Sequence, residues 1–312
     1  MCLTVYLTMN KVIIKYLLIL FPYFIVFSLQ AQKKKSSDST TFSIQADYLS
    51  NYSYNGRVDS IKYPYQTTTA SLHLANGLYS NFSASYLLTP GMKGFDFFEL
   101  DLGYEYNIGK KIYGELYASK YFYSSNANLI NGNISSDIGA SLNYDFKFFQ
   151  FNNVLDLFFT HKIDIQYTPG VEKQIYISKS NKASWSINPY IYYNFSTVNY
   201  YESNVTRRLN GPRRQPGSNV VGPQVYSNTV VQDKGFKLLN TDLSVPFIFE
   251  SNNFSATFTP IYSIPYNKIE TLTTNTVTSV SGSTSTTINS TPYSELHLTN
   301  QFYFQIGLTY KF

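Results

Sequence analysis

The stretch from Phe302 to Phe312 decides the fold and reads Phe-Tyr-Phe-Gln-Ile-Gly-Leu-Thr-Tyr-Lys-Phe. Apolar side chains occupy every second position, and mostly polar or small side chains lie between them. Because successive side chains of a strand point to opposite faces, the pattern predicts one face suited to lipid and one suited to water. A strand of a soluble sandwich could show the same alternation, so the rest of the chain has to separate the two classes.

The composition favours a membrane β-barrel. The 312 residues include 30 Tyr and 24 Phe but only 14% charged residues, and the mean hydropathy is −0.19. A helical membrane protein would have long apolar runs, a disordered chain would lack aromatic residues, and a cytosolic enzyme usually carries about a quarter charged residues. Alternating strands accommodate an excess of aromatic and uncharged polar residues.

The N-terminal segment is predicted to be a cleaved secretory signal peptide. Lys11 and Lys15 begin an apolar stretch that continues to Phe27, and the small residue Ala31 follows. A basic start, a short apolar core and a small residue at the cleavage point are typical of such peptides. A transmembrane anchor is the alternative, because the apolar stretch is nearly long enough to span a bilayer. The expected division is a signal peptide at 1–31, a short periplasmic segment at 32–41 and an outer-membrane barrel at 42–312.

Alternation repeats in segments of about ten residues, the length that a tilted membrane strand needs. Short periplasmic turns are predicted at 76–77, 107–111, 147–150, 195–197 and 250–253. Long external loops are predicted at 55–65, 89–94, 124–135, 164–182, 206–235 and 267–291. Turns and loops alternate strictly. The sequence therefore predicts an all-β, antiparallel up-and-down transmembrane barrel of twelve strands, or of ten if one hairpin is lost, with both ends in the periplasm.

The sequence also predicts details of individual strands. Strand eight is predicted at 184–193 and strand nine at 198–205. Lys120 is expected to lie near the external rim and to snorkel. Pro189, Pro246 and Pro260 fall inside predicted strands, where a missing ladder donor is costly, so they are interpreted as bulges or rim positions.

The face opposite the lipid-facing one should line the interior, and it carries mainly acids. The predicted pore-lining residues are Asp47, Glu99, Asp101, Glu115, Asp137, Asp156, Asp242, Tyr113, Tyr117, Tyr190 and Tyr192. Charges of one sign between low-dielectric walls focus the field, so these acids favour a cation-preferring channel that the tyrosines would narrow. The alternatives are that the acids pair with bases or only avoid lipid.

Two further groups of residues suggest partners. The longest predicted external loop contains Arg207, Arg208, Arg213 and Arg214. Such a cluster can bind phosphate groups, including those of lipopolysaccharide, although a solvated loop is the simpler interpretation. At the other end of the chain, Gln305, Gly307, Tyr310 and Phe312 resemble the terminal signal by which outer-membrane barrels are recognised for assembly, which implies the barrel assembly machinery as a partner.

Enzymatic interpretations have little support in the sequence. The segment His73-Leu-Ala-Asn-Gly resembles the motif of the barrel phospholipases but has Ala75 where the nucleophile should be. His161 and Asp164 lie near an expected external rim, as in outer-membrane proteases, but a second acidic pair is not apparent. The only cysteine is Cys2, and the three histidines are not clustered. No enzyme, cofactor, metal site or nucleic-acid partner is therefore expected.

Part of the first third resembles a known family. The stretch from Ser50 to Gly56, Ser-Asn-Tyr-Ser-Tyr-Asn-Gly, is similar to the Ser-Asp-Tyr-x-Phe-Arg-Gly opening of the TorF-like porins, an outer-membrane family. Gly77-Leu-Tyr and the segment from Glu99 to Tyr104 follow in the family's order. The resemblance covers Ala46 to Tyr123, and Asn51 and Asn55 replace the family's Asp and Arg. It implies a barrel and a channel without an established substrate.

Together these patterns predict a narrow passive channel for small polar, cationic or neutral, solutes. A closed barrel whose external loops bind a ligand or a surface partner is the second hypothesis. An outer-membrane hydrolase is the third.

Overall fold

The computed structural model describes residues 39–57, 62–91, 94–124, 134–160, 162–199, 224–231, 235–267, 271–278, 284–289 and 298–312. The predicted signal peptide lies outside these ranges. Within them, no helix is long and apolar enough to cross a membrane.

The regular structure of the described residues consists of strands. In chain order they are β1 (Thr41–Leu49), β2 (Tyr65–His73), β3 (Leu78–Leu87), β4 (Gly94–Ile108), β5 (Ile112–Tyr123), β6 (Ser136–Asp145), β7 (Gln150–Phe159), β8 (Ile163–Glu172), β9 (Ile175–Lys179), β10 (Ala183–Ile187), β11 (Tyr190–Ser196), β12 (Gln224–Val231), β13 (Lys237–Ser244), β14 (Phe247–Ser251), β15 (Phe254–Pro265), β16 (Thr271–Thr278), β17 (Thr284–Asn289) and β18 (Gln301–Lys311).

Twelve of these strands form a closed antiparallel barrel, as the sequence predicts. Its members, in order around the wall, are β1 to β8, β11, β13, β15 and β18. Strand β1 pairs with β2 on one side and with β18 on the other, and the pair β13–β15 completes the ring. A closed ring leaves no strand edge with unpaired backbone groups, which is the condition for a sheet inside a bilayer.

Three neighbouring strands are interrupted near the periplasmic end, and two of the three interruptions contain a proline. Strands β9, β10 and β14 continue β8, β11 and β13 beyond these interruptions. Across the gaps, the Lys173 amide donates to the Pro189 carbonyl at 3.1 Å, and the Asn188 amide donates to the Pro246 carbonyl at 3.0 Å. Pro260 lies in β15 beside them, and its carbonyl accepts from Ser244 Oγ at 2.5 Å. The three prolines, each of which lacks a backbone N–H donor, therefore lie next to one another on adjacent strands.

Two predicted connections are wrong. The predicted external loop at 164–182 forms β8 and β9, and the predicted turn at 195–197 begins a long external connection after β11. Pro169 and Gly170 are residues typical of a loop, but Pro169 pairs with Asn153 at a place where the ladder between β8 and β11 is interrupted. The ninth strand of the barrel is accordingly β11, not 198–205, of which only Val198 and Asn199 are described.

The distribution of side chains is that of a membrane barrel. In β1, Phe42, Ile44 and Tyr48 are exposed on the outer face, and in β18 the outer face carries Ile306 and Leu308. Lys120 is also exposed and pairs with Ser136, the first residue of β6, which places it at the external end as expected. Buried side chains are predominantly polar. An apolar exterior around a polar interior places the chain in the outer membrane.

The long connections on the external side contain further strands. Strands β12, β16 and β17 form a separate three-stranded antiparallel sheet, in which β16 is central. The predicted loops at 206–235 and 267–291 therefore contain strands, and the second contains a hairpin.

Inward tyrosines lie over glycines of adjacent strands. Tyr79 is directly opposite Gly103, and Tyr117 is directly opposite Gly139. A Cβ atom on either glycine would overlap the tyrosine ring. The same arrangement joins Tyr192 to Gly170. Glycine thus allows these rings to lie flat along the wall, a packing that also protects the exposed glycine backbone.

The substitution Gly139→Ala should destabilise the barrel. The added Cβ forces the Tyr117 ring away from the wall, and overpacking of this kind costs about 1–3 kcal/mol. The expected result is a lower temperature for conversion of the compact band to the unfolded band on SDS gels. Gly94→Ala is the matched control, because a Cβ at Gly94 meets nothing within 4 Å. Equal conversion temperatures for the two variants would contradict the packing argument.

Candidate functional site

Five of the predicted pore-lining acids converge on one cavity in the barrel interior. The cavity has a volume of about 330 Å³ and is defined here as the acid–tyrosine cavity. Its lining consists of Glu99, Asp101, Glu115, Asp137 and Asp156, with Tyr79, Tyr117, Tyr121, Ser119 and Phe158.

The strand register explains why these residues meet. Asp101 of β4 is opposite Ser119 of β5, and Ser119 is opposite Asp137 of β6. One step towards the periplasm, Tyr117 is opposite Gly139, which is opposite Asp156 of β7. Residues two apart share a face, so the acids of four consecutive strands project into the same space.

Hydroxyl groups donate to most of these carboxylates. Tyr79 Oη donates to Glu115 Oε2 at 3.0 Å, and Tyr117 Oη donates to Asp156 Oδ1. Tyr121 lies within hydrogen-bonding reach of both Glu99 and Asp137, and its single hydroxyl proton can serve one of them. Each tyrosine therefore holds a carboxylate on a strand other than its own.

Asp137 is the most deeply buried of the five acids. Its side chain is only 3% exposed, and Ser119 Oγ approaches Oδ2 at a long 3.4 Å. Its Oδ1 atom is buried without a hydrogen-bond partner. A buried carboxylate oxygen without a donor is costly, so this position favours a group that brings positive charge or N–H donors.

The cavity has a strong negative character. None of the described lysine or arginine side chains is among its lining residues. Carboxylates this close together, beside a wall that faces lipid, make one another's ionisation costly, and a cation among them relieves that cost. The site can therefore attract and hold cations.

The other two predicted acids lie in amide networks outside this cavity. Asp47 accepts from Gln45 Nε2 at 2.7 Å and from Gln305 Nε2 at 3.0 Å. Asp242 accepts from Asn240 Nδ2 at 2.8 Å and from Asn194 Nδ2 at 3.0 Å. Both face the interior, but amide donors already engage both oxygens of each.

The predicted inward tyrosines do not form one group. Tyr117 lines the acid–tyrosine cavity, whereas Tyr192 donates to Glu172 Oε2 at 2.8 Å and packs against Tyr190 with ring centroids 4.7 Å apart. Tyr113 lies towards the periplasmic end, opposite Asn107. Tyr117 and Tyr192 lie along the wall and not across the lumen. That the tyrosines narrow the lumen stays a prediction.

Three acids that were not predicted to line the interior also face it. Asp96 accepts from Tyr65 Oη at 2.7 Å, Asp164 accepts from Thr197 Oγ1 at 2.7 Å, and Glu172 accepts from Gln150 Nε2 at 2.7 Å. The last two lie in β8, where polar residues alternate with Ile163, Ile165 and Val171. That alternation was the available signal, and the central Pro-Gly pair concealed it.

A buried arginine was also missed. Arg57 is 1% exposed and donates to the carbonyls of Asn55, Tyr266 and Asn267 at 2.7, 2.8 and 2.7 Å. Asn55 and Gly56 have φ values of 49° and 72°, as a tight hairpin turn requires. A Cβ at Gly56 would overlap Asn240, an inward residue of β13, so the turn is folded into the external mouth of the barrel.

The residues of the predicted assembly signal lie on both faces of the C-terminal segment. Gln305 and Gly307 face inward beside Asp47, whereas Tyr310 and Phe312 are exposed, with ring centroids 4.9 Å apart. Their role as an assembly signal stays a prediction. Arg207, Arg208, Arg213 and Arg214 lie outside the described residues, as does His161.

His73 lies beside Glu105 and Tyr79. Its Nδ1 atom is 3.4 Å from Glu105 Oε1, and its ring stacks on Tyr79. Among the described residues, no group of three or more His, Cys, Asp or Glu side chains could hold a metal ion.

Solved structures that resemble the chain are outer-membrane barrels. OmpF of Salmonella typhi, in a complex with daunomycin, matches 88% of this chain and 97% of its own at 7% identity and a TM-score of 0.31. OccAB1 of Acinetobacter baumannii matches 91% and 99% at 10% identity and 0.33. OprD of Pseudomonas aeruginosa matches 91% and 96% at 9% identity and 0.28. At these TM-scores the likeness carries no conclusion about function.

No family model and no curated protein sequence matches the chain. The resemblance of residues 46–123 to the TorF-like porins therefore stays a prediction.

The substitution Arg57→Gln should loosen the inward turn. It removes charged donors from three carbonyl groups, and hydrogen bonds of charged groups contribute about 1.5–3 kcal/mol each. Faster hydrogen–deuterium exchange is expected at the amides of Tyr54 and Arg57, which bond to each other's carbonyls at 3.0 and 3.1 Å. Lys62→Gln is the control on the same connection, because Lys62 is exposed. Unchanged exchange in Arg57→Gln would show that the turn does not depend on this side chain.

Proposed function

We propose that the protein is an outer-membrane channel for passive diffusion of small polar solutes, with a preference for cations. The observation that carries the proposal is the acid–tyrosine cavity, where five carboxylates line the interior of a closed barrel. A polar, charged interior is typical of barrels that admit water and solutes.

The preference for cations follows from the sign and the position of the charges. A unit charge at about 4 Å contributes about 1 kcal/mol in water and several times more at lower effective dielectric. The acids lie on β4 to β7, in the path of any solute that crosses the lumen on that side. Anions would be repelled by the same residues that attract cations.

A closed barrel whose external parts bind a ligand or surface partner is the second candidate. The observation that favours it is the turn at Arg57, which occupies part of the external mouth. The separate sheet of β12, β16 and β17 would offer the binding surface. Lipopolysaccharide at the arginine cluster and the assembly machinery at the C-terminal strand stay predicted partners.

Conductance in planar bilayers tests the channel. The purified protein should give discrete openings, and the reversal potential under a KCl gradient should show cation preference. The double variant Glu99→Gln with Asp101→Asn removes two charges, so the cation-to-anion permeability ratio should fall by about fivefold or more. Both replacements keep the shape of the side chains and one acceptor oxygen each.

The matched control is Glu250→Gln, which removes one exposed carboxylate in β14 at the periplasmic end. Its selectivity should equal that of the unmodified protein. Discrete openings with a permeability ratio that the double variant leaves unchanged would remove the cation preference. A complete absence of openings from correctly folded protein would favour the closed barrel.

A further inference from the structure

We infer that the acid–tyrosine cavity is a binding site for a linear organic cation that carries two or more ammonium groups, that is, a polyamine. The inference deepens the proposed function by naming a ligand class for the same lumen. Binding itself does not require an open pore, so the two proposals can fail separately.

The cavity has fewer hydrogen-bond donors than its carboxylates can accept. A carboxylate offers about four lone-pair sites, whereas a tyrosine or serine hydroxyl has one proton to donate. Glu115 and Asp156 each receive one tyrosine hydroxyl, and Asp137 Oδ1 receives none although the side chain is almost fully buried. A ligand with several charged N–H groups supplies what the cavity lacks.

The distribution of the acids favours a linear organic cation over a metal ion. The described acids do not come together in a group that could ligate a metal ion directly. They are instead distributed over four adjacent strands, whose axes are about 4.8 Å apart. Ammonium groups separated by a few methylenes have a spacing of about one such strand separation, so one linear molecule can reach several carboxylates.

Aromatic side chains form the walls between the acids. Tyr79, Tyr117 and Phe158 line the cavity together with the carboxylates. Aromatic rings attract ammonium groups and also accommodate methylene segments. A volume of about 330 Å³ is near the lower end of the range of roughly 300–1,000 Å³ for small-molecule sites. This volume suits a short polyamine better than a bare inorganic ion.

Isothermal titration calorimetry on the full chain in a non-ionic detergent tests the inference. The probes are spermidine, putrescine, butylamine and Mg²⁺. Saturable binding is expected in the order spermidine, putrescine, butylamine, because each ammonium adds charge-assisted contacts. Asp137→Asn should weaken spermidine binding by about tenfold or more, since it removes the buried charge. Glu250→Gln should bind spermidine as the unmodified protein does.

A second variant guards against misfolding of Asp137→Asn. Glu115→Gln with Asp156→Asn keeps an acceptor for Tyr79 and Tyr117, and the heat-dependent band shift on SDS gels checks folding. The inference is overturned if spermidine shows no saturable binding, if folded variants bind it unchanged, or if Mg²⁺ displaces it at equal concentration. Conductance of the same preparation separates the proposals: openings without binding overturn this inference alone, and binding without openings overturns only the channel.

Discussion

Closure of the sheet is the constraint on which the rest of the structure depends. In hydrocarbon, each unpaired backbone group costs several kcal/mol, so a sheet can enter the bilayer only as a complete ring. The pair β13–β15 completes that ring, and the proline interruptions are confined to one seam near the periplasmic end. In a closed sheet each side chain points either to the lipid or to the interior. Most polar side chains must therefore find hydrogen-bond partners inside the barrel.

The partners available inside divide the lumen into two chemically different sides. On one side Asp47 and Asp242 are surrounded by asparagine and glutamine, whose amide groups have two protons to donate. On the other side the acids of β4 to β7 have mainly hydroxyl partners. Amides can saturate a carboxylate, whereas hydroxyls leave acceptor capacity unused. The unused acceptor capacity of the lumen therefore follows from which donors each strand carries, as well as from the count of acids.

The parts of the fold that were predictable are those with uninterrupted alternation. Strands β1 and β18 follow a period of two, and their inner and outer faces are as expected. Strand β8 was lost because Pro169 and Gly170 carry turn chemistry locally, whereas the ladder around them tolerates it. Arg57 was missed for a different reason. Its carbonyl partners at Tyr266 and Asn267 lie more than two hundred residues away, and no local pattern reports such a contact.

The tyrosines that lie over glycines join three strands at a time. Tyr79 of β3 crosses Gly103 of β4 to reach Glu115 of β5, and Tyr117 of β5 crosses Gly139 of β6 to reach Asp156 of β7. A larger side chain in place of the glycine would displace the tyrosine ring, and the acid would then lose its hydrogen-bond donor. Ring, glycine and acid therefore depend on one another, so a change at one of the three positions also affects the other two.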